Sequence, residues 1–243
     1  APLTPSVSYI DFTSTPLAES YSGAYALVID NLLSSEECED LIALAESTEP
    51  WQPAKLPGRS IKLEDQVLNT SYRHSDRILR FDHEAARKIY ERVLPFVEQD
   101  IGVIREGSKW SGIVADVVDG SVQGTWNLVG LNERLSFMRY GPGHFFREHC
   151  DGRLDLPDGR KSRVTIQIYL NGSDTDAIEG GATRFKTSAY YYSGRRREMK
   201  HKFLDVEPKV GRALIFQQRG LVHSGESVRK GLKYALRTDF MFE

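Results

Sequence analysis

Two triplets in this chain place a histidine and an aspartate two residues apart: His149 and Asp151 in REHCDGRLDL, and His74 and Asp76 in RHSDR. Imidazole nitrogens and carboxylate oxygens both bind first-row divalent metals. On a strand, residues two apart share a face, so either pair can reach one ion, with Cys150 turned away in the first. The chain has six histidines, enough for such a triplet to arise by chance, so the spacing alone decides nothing. A metal that must also accept a substrate and dioxygen needs two histidines and one carboxylate on one side, leaving the remaining positions open. The third donor that fits is His223, in RGLVHSGESVRKGLKYALRTDF. It follows the apolar run GRALIF and precedes another strand, so sheet pairing can bring it to His149 and Asp151. His74 and Asp76 lie in a polar approach to a helix, and Asp76 with Arg77 reads as a surface or substrate-facing pair rather than a metal seat.

The elements that must position these residues divide the chain. Up to about residue 125 the pattern is a strand in AYALVIDNLL and then two helices. SSEECEDLIALAES supplies the first helix, with Ser34 capping its first turn, Glu37 three residues on, and an apolar stripe of Leu41, Ile42, Leu44 and Ala45. DHEAARKIYERVLPFV supplies the second, with Ala85, Ala86, Ile89, Val93, Phe96 and Val97 on one side and Pro95 expected to end or kink it. WQPAKLPGRSIKLEDQ between them reads as a polar loop. After Trp126, the short apolar runs RLSFMRYG, RVTIQIYLNG, GGATRF, HKFLDVEP, GRALIFQQ and KYALRTDFMFE each predict a strand. Strands at this density imply a sandwich or barrel, with the helices packed outside it as a support layer. We expect one domain over 1–243, mainly β with packing helices, comprising a support region over 1–125 and a β core over 126–243.

Composition narrows the partners. A formal charge of −2 gives no bulk attraction to nucleic acid or to anionic membranes, and neither is expected as a partner. Two cysteines, Cys38 and Cys150, are too few for a disulfide framework, and no apolar run approaches a bilayer span, so a cytoplasmic setting is expected. SAYYYSGRRREMKHKF, residues 188–203, combines tyrosines with basic residues as single-strand binders do, but in a chain of balanced charge it reads as a solvated hairpin, or as a lid over substrate. His144 is expected at a turn, His83 and His201 at the surface, and Trp51, Trp110 and Trp126 in core or pocket wall. Arg73 and Arg77 are expected in exposed ion pairs, with reach across a barrel mouth to an anionic substrate as the functional version.

Taken together, RYGPGHFFREHCD, VTIQIYLN, EGGATRF and HSGESVRKGLKY, in this order over residues 130–242, resemble the 2-oxoglutarate and Fe(II)-dependent dioxygenases, specifically their prolyl-4-hydroxylase-like branch. The resemblance implies a double-stranded β-helix of the jelly-roll or cupin kind, with Fe(II) held by His149, Asp151 and His223. It implies 2-oxoglutarate as cosubstrate, with Lys233 meeting the distal carboxylate and Tyr140, Tyr169 and Thr183 nearby as hydroxyl donors. A dicarboxylate that chelates iron by one end buries a second charge, and an unpaired buried charge is strongly unfavourable, so a cation there also makes physical sense. Many relatives carry arginine where Lys233 stands. Arg237, four residues on and on the same strand face, can point to the substrate, pair with Asp239, or replace Lys233 as anchor.

The implied reaction uses dioxygen to decarboxylate 2-oxoglutarate to succinate while oxidising an unactivated C–H bond. Asp151 argues for hydroxylation over halogenation, since halogenating relatives lack this carboxylate; desaturation and ring closure use the same ligands. The substrate is expected to be a small molecule or amino-acid-like compound, with a protein or peptide side chain, proline above all, as the alternative. A jelly-roll binding module with a metal for structure only would be of another class, and would have no use for a cation ten residues after the last histidine.

Overall fold

The computed structural model describes residues 4–56, 66–116, 119–175, 178–187 and 202–243. The basic hairpin or lid expected over 188–203, with His201, lies almost wholly outside the described residues. In chain order the strands are β1 (Ser6–Tyr9), β2 (Ala26–Asp30), β3 (Gln52–Pro53), β4 (Arg73–His74), β5 (Asp76–Phe81), β6 (Val103–Arg105), β7 (Thr125–Leu131), β8 (Arg134–Tyr140) and β9 (Phe145–His149). There follow β10 (Lys161–Tyr169), β11 (Glu179–Gly180), β12 (Thr183–Lys186), β13 (Phe203–Val206), β14 (Ala213–Gln217), β15 (His223–Gly225), β16 (Val228–Lys230) and β17 (Lys233–Phe242). The helices are α1 (Ala18–Tyr21), α2 (Ser35–Glu46) and α3 (His83–Ile101).

Two sheets face each other. The ten-stranded sheet runs β1-β2-β14-β10-β17-β8-β5-β3, with β7 pairing another stretch of β17 and β6 beyond it. The five-stranded sheet runs β13-β12-β15-β9-β4. This is the expected jelly-roll architecture, a β-helix of two stacked sheets, with the helices outside. Strands from before residue 126 nevertheless enter both sheets, so the N-terminal region contributes to the sheets themselves as well as to the support layer.

Alternation along the central strands explains why the helices lie where they do. Leu135 and Phe137 of β8, Val164, Ile166 and Ile168 of β10, and Leu236 and Phe240 of β17 are buried in one cluster with Ala86, Ile89, Val93 and Val97 of α3. The neighbours of these residues, such as Ser136, Met138 and Gln167, turn to the opposite face and line a cavity. Helix burial therefore uses the apolar half of each strand and leaves the polar half facing inward. Phe137 is fully buried in this layer, so Phe137→Ala is expected to destabilise the fold by roughly 3–5 kcal/mol, read as a lower urea midpoint at unchanged slope.

The two helices follow their sequence signals at the N-terminus. Ser34 accepts from the Glu37 amide and Glu37 accepts from the Ser34 amide, completing a capping box, and Asp82 caps α3 through the Ala85 amide. Pro95 does not end α3, which continues through it to Ile101. A proline removes one helical hydrogen bond, and the burial of Val97 and Ile101 beyond it holds the last turns in place. The predicted strand GGATRF is also interrupted. Gly180 and Gly181 have φ of +80° and +77°, a backbone conformation that favours glycine, and they break the run into β11 and β12. A Cβ on Gly180 would lie 2.5 Å from the Ser227 carbonyl oxygen, and one on Gly181 would lie 3.0 Å from Lys233 Cδ. Among the described residues, no helix is long and apolar enough to cross a membrane.

Candidate metal centre

Strand pairing brings the two distant histidines together. His149 ends β9 and stands directly opposite His223 on the antiparallel neighbour β15, with ring centroids 4.4 Å apart. His149 Nδ1 lies 2.7 Å from the Arg147 carbonyl and His223 Nδ1 lies 3.1 Å from the Leu221 carbonyl. A carbonyl only accepts, so both Nδ1 atoms carry the proton and both Nε2 atoms keep a lone pair. Asp151 completes the group: its Oδ1 is 3.7 Å from His149 Nε2 and its Oδ2 is 4.0 Å from His223 Nε2. One donor atom from each of the three residues lies within 4.8 Å of the other two.

Asp151 is not placed by strand alternation as the HxD spacing suggests, because β9 stops at His149. Its carboxylate is turned inward by two other strands of the large sheet: Thr165 donates its hydroxyl at 2.7 Å and Arg237 donates Nε at 3.2 Å. Burial pushes the Asp151 carboxyl up, but Arg237, His223, His149 and the Thr165 hydrogen bond together hold it well below the usual carboxylate range. Burial lowers His149 to about 3, with the neighbouring His223 adding to the effect, and burial lowers His223 as well. The three therefore present two neutral imidazoles and one carboxylate, the protonation states in which each donates to a metal.

Arg237 is fully engaged on its Nε and Nη2 side, where it also meets Thr165 at 3.3 Å and Asp239 at 3.0 Å. The expected ion pair with Asp239 is present, and to it is added the contact with Asp151. Lys233 differs. It is 3% exposed, donates to the Gly181 carbonyl at 2.5 Å and sits between the Tyr140 and Tyr169 rings, 5.2 and 5.3 Å from their centroids. No carboxylate among the described residues lies within ion-pair distance of it, and burial pulls it down from the usual 10.5 to about 8. Tyr140, opposite Lys233 on β8, lines the cavity, and among the described residues its hydroxyl hydrogen-bonds only Met138 sulfur, at 3.7 Å. The Tyr169 hydroxyl donates to Thr183 Oγ1 at 2.7 Å and Gln167 donates to the same oxygen at 2.9 Å, so Thr183 keeps its own proton to donate into the cavity it lines.

Among the described residues the second triplet belongs to no metal-ligand set. His74 stacks on His144 at 3.9 Å, and Asp76 pairs with Arg139 at 2.8 Å rather than with Arg77. Arg73 and Arg77 are not in the expected exposed ion pairs. Arg73 is 7% exposed and Arg77 is half-buried, and both line the cavity, as does Arg134. RHSDR lies at the junction of β4 and β5, two strands that read as a polar lead-in because Arg73 and Arg77 belong to the inner, cavity-lining face. Arg134 and Gln167 were missed; for Arg134 the signal was present in RLSFMRY, where Arg134, Ser136, Met138 and Tyr140 share one face and Leu135 and Phe137 the other. The cavity has a volume of about 360 Å³.

A jelly roll that gathers two histidines and a carboxylate at one cavity, with a buried cation on the same cavity wall, has the donor set of the non-haem iron oxygenases. Over residues 135–239 the chain matches the family model of the 2OG-Fe(II) oxygenase superfamily. It is an oxidoreductase whose cofactors are Fe(II) and 2-oxoglutarate. The fold is similar to a Pseudomonas putida prolyl-4-hydroxylase, with 16% identity, TM-score 0.54, and coverage of 95% of this chain and 94% of that one. It is similar to a Trichoplax adhaerens prolyl hydroxylase in complex with a hypoxia inducible factor oxygen degradation domain peptide fragment, with 16% identity, TM-score 0.53, and coverage of 92% and 84%. It is also similar to the non-haem α-ketoglutarate-dependent epimerase SnoN of nogalamycin biosynthesis, with 12% identity, TM-score 0.50, and coverage of 93% and 81%. A sequence comparison with curated proteins finds no match. The residues present fit both groups: the donor set suits Fe(II), and Lys233 is a buried cation that lacks the anion a dicarboxylate would bring.

Proposed function

We propose that this protein hydroxylates an unactivated C–H bond of a small molecule or amino-acid-like substrate, with conversion of 2-oxoglutarate to succinate. The observation that carries the reading is the shared cavity in which His149, Asp151 and His223 converge while Lys233 has no carboxylate partner among the described residues. His149, Asp151 and His223 hold Fe(II). Lys233 receives the distal carboxylate of 2-oxoglutarate, with the Tyr140 and Thr183 hydroxyls beside it and Tyr169 fixing Thr183. Arg237 holds Asp151 in its ligating orientation, and Nη1, which has no hydrogen bond among the described residues, is what it offers a substrate. When bound, Fe(II) and 2-oxoglutarate supply the oxidising equivalent from dioxygen, and the chain needs no separate general base. Its own task is to orient the donors, neutralise charge and keep water from the reacting bond.

A peptidyl side chain would use the same ligands; the cavity volume, at the low end of the roughly 300–1,000 Å³ usual for small-molecule pockets, favours the free small molecule. The test is an anaerobic titration of metal-free protein with Fe(II) and then 2-oxoglutarate. A saturable visible charge-transfer band is expected, and after it succinate formation that rises when the right substrate is supplied. Fe(II) binding without any band on adding 2-oxoglutarate would leave a metal-bearing jelly roll of another function.

A further inference from the structure

The cavity holds more positive charge than iron and cosubstrate can balance. Among the described residues its walls carry Arg73, Arg77, Arg134, Lys233 and Arg237, against only two carboxylates, Asp151 and Asp239. Fe(II) and the 2-oxoglutarate dianion cancel each other, which leaves an excess of three positive charges. Asp151 and Asp239 are already taken by Arg237, and Lys233, held between the Tyr140 and Tyr169 rings, is the cation left for the cosubstrate, so the excess resides on the three remaining arginines.

Among the described residues those three lack an acidic partner at ion-pair distance. Arg73 donates Nε to Ser75 at 3.0 Å and lays its guanidinium over the Phe146 ring at 4.6 Å. Arg77 donates one nitrogen to the neutral Gln66 side chain at 3.0 Å. Arg134 makes no side-chain hydrogen bond or ion pair among the described residues, although it feels the field of Asp239. Burial lowers Arg77 to about 10, and the like charges of Arg73 and Arg134 add to that shift, which places Arg77 in the field of the other two within the cavity that all three line. Each could have met an acid on the surface, as Arg139 does with Asp76 and Arg160 does with Glu133. Mutual repulsion inside a cavity is tolerated where an anion joins the group, and the planar guanidinium fork suits carboxylate and phosphate oxygens.

We propose that Arg73, Arg77 and Arg134 form a second anion seat, and that the substrate is a small organic anion, a carboxylate or a phosphate ester, docked there with its C–H bond toward His149, Asp151 and His223. This rests on the dioxygenase reading and names the substrate class for that site. The strands that carry the seat support the separation of roles: Arg77 and Arg134 project from β5 and β8, whereas Lys233 projects from β17, so cosubstrate and substrate charges meet different strands.

The test uses protein loaded anaerobically with Fe(II) and saturating 2-oxoglutarate, titrated calorimetrically with phenylacetate, phenyl phosphate and neutral phenylacetamide. The anions are expected to bind at least about tenfold more tightly than the amide, to perturb the charge-transfer band without displacing 2-oxoglutarate, and to lose that advantage in Arg77→Gln and Arg134→Gln. The relative strength of phenylacetate and phenyl phosphate tells carboxylate from phosphate. In the same variants the 2-oxoglutarate titration is expected to stay within about twofold of wild type, which also shows that they fold. No preference for the acids over the amide in wild type would overturn the proposal whether or not a variant folds. So would anions that compete with 2-oxoglutarate, or arginine variants that weaken 2-oxoglutarate as much as the probe, since the arginines would then belong to the cosubstrate. A wild-type protein with no Fe(II) and 2-oxoglutarate band would instead remove the dioxygenase reading beneath it.

Discussion

Asp151→Ala is expected to abolish Fe(II) binding and turnover together, with the fold retained. The carboxylate is the only anionic donor among the three, and it points at both Nε2 atoms only because Thr165 and Arg237 hold it there. Loss of an outer partner of a metal ligand lowers affinity about 10–100-fold, so loss of the ligand itself should exceed that range. Breaking a buried ion pair is destabilising by roughly 3–5 kcal/mol when the surviving charge is orphaned. Here Arg237 keeps Asp239, so a smaller stability loss is expected. Arg237→Gln provides the contrast: no ligand is removed, but Asp151 loses its nearest cation, and Fe(II) affinity should fall within that 10–100-fold range. Calorimetric Fe(II) titration under argon, with urea unfolding alongside, separates the two outcomes. Fe(II) affinity in Asp151→Ala equal to that of wild type would show that the metal, if bound, sits elsewhere.

Lys233→Ala is expected to leave Fe(II) binding intact and to weaken 2-oxoglutarate by roughly 30-fold or more, because truncating one member of a buried charge pair costs about 2–5 kcal/mol. Lys233 also predicts a pH dependence with a definite sign. Its folded value is about 8 without an anion, against 10.5 for an ordinary lysine. Between these values the unfolded chain binds the proton and the folded chain does not, so stability of the cofactor-free protein rises with pH across that window, by up to about 3 kcal/mol, and the penalty is fully present below pH 8. A bound carboxylate restores the charged form. Binding of 2-oxoglutarate therefore takes up a proton above about pH 8, and affinity should fall as pH rises beyond that point. Lys233→Met should remove both slopes and be more stable than wild type near pH 7 in the absence of 2-oxoglutarate. Equal pH profiles for wild type and Lys233→Met would assign the anchor to another cation.

Much of the site was legible because its chemistry is local in sequence. The HxD triplet, the glycine pair before Thr183, and the spacing from His223 to Lys233 are each short patterns whose backbone reasons the structure supplies. Gly180 and Gly181 adopt positive φ where Ser227 and Lys233 approach. The strands after Trp126 and the capped helices were legible from period-two and helical patterning. Pro95 and the break between β11 and β12 were not, because a neighbour's burial in one case and a neighbour's approach in the other decide whether a local preference holds.

What the sequence determined by itself was the class of fold and the donor types, since alternation and residue chemistry are properties of the chain alone. Only the tertiary structure decided the partners of each charge. Arg237 met Asp151 as well as Asp239, Lys233 met no acid among the described residues, and Arg73 and Arg77 turned from expected surface pairs into cavity wall beside Arg134. The physical reason is that a long cationic side chain has no preferred partner in sequence. Its place is set by which sheet face its strand presents and by which acids non-local pairing leaves within reach, and both are fixed only when the two sheets close on one another.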